Sequence, residues 1–237
     1  MKTIFTLGFI LIKLSLLAQI NLSKQTENII NVVRNDLKPS ESEVKEGLSD
    51  ALRIGSEYAV NIASQLNGFN SNKSIRITIP QEANKLKESL LNIGLQNQIY
   101  SFEESMNHAA ESACKSALQI LANAISQLTI KDAFTILNGK NNAATNYLHN
   151  QTNLKIYNSF KPIIKSSMQK YNVTKKWSQL ATKYNSLPFT KQINPDLEDY
   201  ITNKAIYGLF ILMAEQEKKI RTDPLARTTK TLRKVFD

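Results

Sequence analysis

Cys114 is the only cysteine of the chain, so no internal disulfide can form. With one cysteine and two distant histidines, His108 and His149, no Cys–His nucleophile pair is plausible. Cys114 stands among Ala113, Ala117 and Ile120, the surroundings of a small buried residue and not of a reactive thiol. Glycine and proline are also scarce, with seven and six residues thinly spread through 237, which argues for long elements over a fold of many turns. There is no G-x-S-x-G elbow, no glycine-rich phosphate loop and no dinucleotide fingerprint. Ser112-x-x-Lys115 and Ser167-x-x-Lys170 match the first motif of serine acyl-enzymes, but the companion motifs are missing. These absences name no nucleophile, no catalytic residue, no metal set and no cofactor.

What is present is a globular composition, 42% hydrophobic and 21% charged, with a net charge of +10. The positive surplus is compatible with nucleic acid, anionic membrane or acidic polymers. However, Lys155, Lys161, Lys165, Lys170, Lys175, Lys176 and Lys183 are spaced through amphipathic stretches, the pattern of a solvated face. Nucleic acid is therefore not expected as a partner, and binding of an anionic surface through basic helices stands as an alternative function.

The first residues carry their own signal. Lys2 precedes an apolar stretch from Ile4 to Ala18, and Gln19, Asn21 and Ser23 follow, the layout of a secretory signal peptide over residues 1–18. Lys13 interrupts the run, which falls short of the ~20 apolar residues of a membrane span. Residues 19–39 read as a linker or loosely docked segment, and residues 40–237 as one helical domain. The expected location is periplasmic or secreted, with no transmembrane span once the signal is cleaved.

Within the domain, Ser40 and Glu43 form a capping-box pattern ahead of apolar residues at helical spacing, and Asn67-Gly68 ends that helix. Ser74 to Ile79 alternates strictly and reads as the one short strand, which needs a partner for its backbone: another segment, a second subunit or a peptide. Gly94 marks a break. A long helix is expected from about Gln96 to Leu128, then a short one capped by Thr129 with Asp132 and closed by Asn138-Gly139. Pro162 should kink or restart the helix that begins at Ala143. Thr174 opens the next. Asn194-Pro195 starts a helix whose stretch from Ala205 to Ala214 is apolar without interruption and should be buried on all sides. Asp223-Pro224 repeats that start signal, with Leu225, Thr228, Leu232 and Val235 facing inward. The fold class is all-α: a multi-helix single domain around a central buried helix, with at most one short strand or hairpin.

Polar groups in apolar surroundings supply the candidates for a site. Glu103, Asn107 and Glu111 share one stripe beside the apolar face of the long helix. Glu215, Arg221 and Arg227 flank the end of the buried helix. A buried carboxylate is costly unless paired, and arginine's fork is its natural partner. Such a set can clamp helices together, or form a pocket whose arginines bind an anion and whose glutamate works as acid or base. Glu104, His108 and Glu111 also share a face, as three metal ligands would. The solvent-facing reading is preferred, and no metal is expected.

Several stretches resemble a known family. FEESMNHAAESA (Phe102–Ala113), DAFTILNG (Asp132–Gly139), AATNYL (Ala143–Leu148), KYNSLP (Lys183–Pro188) and the tail from Asp199 to Phe236 are similar, in order, to the domain of unknown function DUF4197 family. The resemblance implies an exported, mostly helical bacterial protein and no defined activity, so it carries over no catalytic residue. Where the family usually has arginine this chain has His108, so a metal site built on it would not be a family property. The family's polar positions are matched by Glu103, Asn107, Glu111, Asp132, Asn138, Lys204, Glu215, Arg221 and Arg227. From these, Glu103, Asn107, Glu111, Lys204, Glu215, Arg221 and Arg227 are the ligand-binding candidates. The reading is a non-enzymatic envelope domain that binds a ligand or envelope protein. An envelope hydrolase using Glu103 or Glu111 with Arg227 is the competing one.

Overall fold

The structure, a computed structural model, describes residues 38–237. The signal peptide and most of the linker expected from the sequence lie outside the described residues. Residues 43–237 form one compact unit. Its helices are α1 (Glu41–Ala63), α2 (Asn84–Asn92), α3 (Gln96–Cys114), α4 (Ala117–Ser126), α5 (Ile130–Leu137), α6 (Ala143–Lys170), α7 (Val173–Asn185), α8 (Leu197–Thr222) and α9 (Lys230–Phe236). Two 3₁₀ turns, Gln81–Ala83 and Pro224–Ala226, precede α2 and α9. Among the described residues there is no strand, and no helix is long and apolar enough to cross a membrane.

Three long helices, α3, α6 and α8, pack on one another and make the centre. Phe102, Met106, Leu148, Phe160 and Leu209 are fully buried there. Each buried aromatic or aliphatic side chain of that size contributes about 1.5–3 kcal/mol relative to exposure. α7 closes one side against α3, and α4 lies along α6. Helix α1 reaches α9 at Gly47, where a Cβ would come within 2.7 Å of Val235 Cγ2.

Thr129 caps α5 as expected: its hydroxyl accepts from the Asp132 N–H at 3.1 Å, and the Asp132 carboxylate accepts from the Thr129 N–H at 3.2 Å. Gly94, at φ +82°, turns the chain between α2 and α3, a conformation open to glycine without strain.

Several boundaries differ from the expectation, each for a local reason. The helix expected from Gln96 to Leu128 breaks at Lys115. The Ser116 hydroxyl donates to the Ala113 carbonyl at 2.9 Å and accepts from Ser159 of α6 at 3.0 Å, so a local hydroxyl competes with the helix ladder. Conversely α6 continues through Pro162 without restarting, and the proline lies on the exposed face. Helix α7 begins at Val173, after Asn172 in the left-handed region, and not at Thr174. Asp196, and not Asn194, caps α8: its carboxylate accepts from the Asp199 N–H at 3.0 Å. The apolar stretch of α8 is not buried all round, since Tyr207 is exposed. After Asp223-Pro224 the chain makes only a 3₁₀ turn, leaving Leu225 and Thr228 in solvent, and Thr229 caps α9 in their place.

Candidate functional site

The expected strand at Ile75–Ile79 has no β partner: Ile75 and Arg76 close a turn on the Asn72 carbonyl at 3.2 and 2.8 Å, and the chain from Arg76 to Thr78 has no regular secondary structure. Side chains of α3 take the partner's place. Asn107 accepts from the Ile77 N–H at 2.8 Å and donates to the Ile77 carbonyl at 2.8 Å, as an adjacent strand would. One turn earlier on α3, Glu103 accepts from the Ile79 N–H at 3.3 Å. One turn later, Glu111 accepts from the N–H groups of Phe69 at 3.0 Å, Asn67 at 3.2 Å and Asn70 at 3.4 Å. The spacing works because four helical residues rise about 6 Å and two extended residues about 6.6 Å. Side chains at i and i+4 thus meet alternate N–H groups of a segment running antiparallel to the helix.

The apolar alternation then does its part: Ile75, Ile77 and Ile79 point inward and are buried, while Arg76 and Thr78 face out. Phe69 sits against α8 at Gly208, where a Cβ would come within 2.5 Å of its ring. Tyr200 of α8 ties the outer edge by donating to the Thr78 carbonyl at 2.9 Å. Burial, and then the charge of Glu103, push the Tyr200 phenol above its ordinary value. The Glu103 carboxylate is neutralised by Lys87 at 3.0 Å and Arg76 at 3.4 Å.

A second clamp joins α5, α6 and α8. Buried Glu217 accepts from the Ala144 N–H at 3.0 Å, the Thr145 N–H at 2.8 Å and the Thr145 hydroxyl at 2.7 Å, at the start of α6. A carboxylate there is stabilised by the helix dipole. Arg221, one turn on, pairs with Glu217 at 2.9 Å and donates to the Ile136 and Leu137 carbonyls at 2.8 and 3.1 Å, the closing end of α5. Arg227 folds back on α8, donating to the Ile220 and Arg221 carbonyls at 3.0 and 3.1 Å, and it pairs with Asp237.

The candidate residues therefore fall into separate places. Glu103, Asn107 and Glu111 act together on one segment. Arg221 and Arg227 hold helix ends, and neither meets that triad. Lys204 is exposed over the rings of Tyr200 and Tyr207, 5.7 and 5.8 Å from their centroids. Glu215 is exposed, and the buried acid of α8 is Glu217, two residues on. His108 bonds Glu111 through Nδ1 at 2.8 Å, lies 3.9 Å from Glu104 through Nε2, and packs against Tyr171. Among the described residues no cluster of histidine, cysteine and acidic groups could hold a metal ion. Burial pushes the Cys114 thiol far above its ordinary range.

Open space lies on either side of the first turns of α3. One groove, of about 340 Å³, runs between α3 and α7, with Leu95 and Leu180 as its apolar lining and Gln98, Ser101, Lys176 and Lys183 around them. The other, of about 440 Å³ and more open, lies towards the clamped segment and is lined by Asn70, Arg76, Asn97, Tyr100, Ser101 and Glu104. Ser101 belongs to both. Among the described residues, one buried side-chain polar atom has no hydrogen-bond partner, Asn70 Oδ1. An unsatisfied buried acceptor costs about 1–3 kcal/mol. Sequence reasoning missed both grooves, because their residues read as ordinary surface polarity on three separate elements.

No curated protein and no solved structure matches the chain. A family model matches residues 38–237, the whole of the described region, and its description is "Protein of unknown function (DUF4197)". The segments that carry the α3 triad, the α5 cap and the clamp of α5, α6 and α8 all fall within that match, and the chain belongs to the DUF4197 family.

Proposed function

We propose that this is a non-enzymatic binding domain of the bacterial envelope, periplasmic or secreted, that takes a ligand or partner in the grooves beside α3. One observation carries the reading: the buried charged groups are engaged in holding main chain, while open grooves flank the first turns of α3. Glu103, Glu111, Glu217, Arg221 and Arg227 each bond backbone groups of neighbouring segments. A hydrolase built on Glu103 or Glu111 with Arg227 needs those groups to converge, and their bonding runs to different elements. The export expectation rests on Lys2 and the apolar stretch from Ile4 to Ala18.

Hydrogen exchange of the mature chain, with and without a solubilised envelope extract, tests the proposal. Protection should gather on residues 95–104 and 176–183, and Ser101→Trp, which fills the junction of the two grooves, should abolish it. No protection at either groove would overturn the reading.

A further inference from the structure

Resting on that binding reading, we infer that the groove between α3 and α7 is a subsite for an anionic amphiphile, a small molecule with one acidic head and an apolar chain.

Three contacts set the register of its walls. The His108 and Tyr171 rings meet at 5.3 Å, the Phe102 and Trp177 rings at 5.4 Å, and Lys176 Nζ donates to the Ser101 carbonyl at 3.0 Å. Residue numbers fall on α3 as they rise on α7, so the two helices run in opposite directions. Lys176 therefore stands at the Ser101 end of the groove and Lys183 at the Leu95 end, with Leu180 between them. Positions 176, 180 and 183 are i, i+4 and i+7, one stripe of α7, and the stripe spans about 10 Å.

The charge of this stripe is one-sided. The two ammonium groups line the groove together with Gln98, Ser101 and Gln179, and no carboxylate does. Among the described residues, neither lysine pairs with an acid. Lys176 gives one of its three N–H groups to Ser101, which fixes the ammonium at the wall and leaves two donors for a ligand. A cation would be repelled from both ends. A neutral chain would leave both charges unanswered beside an apolar surface. An acidic head meets them, and the attraction strengthens where the groove excludes water. Lysine is a compact point charge without the fork that matches a carboxylate, so carboxylate and phosphate heads are both admitted. The other groove lacks this polarity, since Arg76 and Glu104 both line it.

The rest of the wall asks for an apolar body. Buried Leu180 and half-buried Leu95 supply apolar surface, and the lysine stems extend it while their heads stay in water. The volume of about 340 Å³ lies within the range of small-molecule sites, about 300–1,000 Å³.

The test is a titration of the mature chain by calorimetry and ¹H–¹⁵N NMR with hexanoate, octanoate, decanoate, decyl phosphate and decyltrimethylammonium, each to about 10 mM, beyond a millimolar Kd. The expected result is saturable binding of the decyl anions, with shifts at the backbone amides of Gln98, Ser101, Lys176 and Leu180, and none of the cation. Affinity should rise severalfold from hexanoate to octanoate and again to decanoate, because each step buries two further methylenes. Decanoate binding more tightly identifies a carboxylate head, and decyl phosphate binding more tightly identifies a phosphate head. Lys183 is exposed, and its side chain bonds nothing else among the described residues, so Lys183→Glu should leave the melting temperature unchanged. It should weaken the anions about tenfold, a change of about 1.4 kcal/mol, and Lys176→Gln should weaken them as well. No saturation with any anion, equal binding of the cation, or binding that both variants leave intact overturns the inference. If the anions fail while an envelope extract still protects residues 95–104 and 176–183, the amphiphile assignment falls and the binding reading stands. If both fail, both fall.

Discussion

Changing one atom of Asn107 tests the architecture of the α3 clamp. In Asn107→Asp the amide nitrogen becomes oxygen, while size and the Ile77 N–H contact are kept. Nδ2 donates to the Ile77 carbonyl at 2.8 Å and to the Glu103 carbonyl at 2.7 Å, so both carbonyls would then face a carboxylate oxygen. The site is fully buried, and an uncompensated buried charge costs about 3–5 kcal/mol. For a domain of about 150–250 residues, each kcal/mol lowers Tm by about 2–4 °C, so the fall should be about 6–20 °C. Sign and pH follow from the same contacts. Burial and the facing carbonyls raise the folded-state pKa of the new acid above its unfolded value. The penalty is therefore full at high pH and shrinks as pH falls through that raised value towards the unfolded one. Urea denaturation of wild type and variant between pH 7 and pH 5, with hydrogen exchange of the Ile77 amide, measures both effects. A loss under about 1 kcal/mol, or a penalty that does not change with pH while the Ile77 amide stays slow to exchange, would refute the clamp argument.

The second clamp should behave asymmetrically. Glu217→Ala strands two backbone N–H groups, a hydroxyl and the Arg221 guanidinium, and should cost about 3–5 kcal/mol by chemical denaturation. Glu215→Ala, two residues away on the exposed face, should change stability by under about 0.5 kcal/mol. Cys114 should react with a thiol reagent at neutral pH only as fast as the chain unfolds, because burial disfavours its thiolate; a burst of labelling in native buffer would contradict this. Thr129→Ala should cost about 1 kcal/mol through its lost cap. The Thr129 hydroxyl, foremost, holds the Asp132 carboxyl below its usual value, so the stabilisation is present above the ordinary carboxylate range. It is lost as pH falls through the folded value, and the gap between wild type and variant should narrow in acid.

The sequence carried the helical class and the α5 cap because both are local: periodicity and a four-residue capping pattern need no partner elsewhere. It also placed Glu103, Asn107 and Glu111 on one stripe, and marked Ile75–Ile79 as a segment in need of a partner. What it could not do was join the two. Asn107 and Ile77 are 30 residues apart, and a side chain replacing a strand leaves no alternation in the helix that supplies it. The misplacement of the α8 acid has a different cause. From Ala205 to Ala214 the helix is apolar on every side, so the pattern has no phase from which to tell the inward position 217 from the outward position 215. The break at Lys115 was hidden because it depends on a tertiary bond to Ser159, with no glycine or proline to announce it.

The pairing of α3 with the Asn67–Ile79 segment also sets where this chain can change length over evolutionary time. One residue inserted between Glu103 and Glu111 would rotate everything beyond it by about 100° around the helix axis and draw one member of the triad off its backbone targets. An insertion or deletion there should break at least one of these contacts, however conservative the residue. The turn at 71–74 lies between two anchored points and faces solvent, with Ser71, Lys73 and Ser74 exposed, and can absorb such changes. Relatives of this chain should therefore differ in length in that turn while keeping the four-residue spacing on α3.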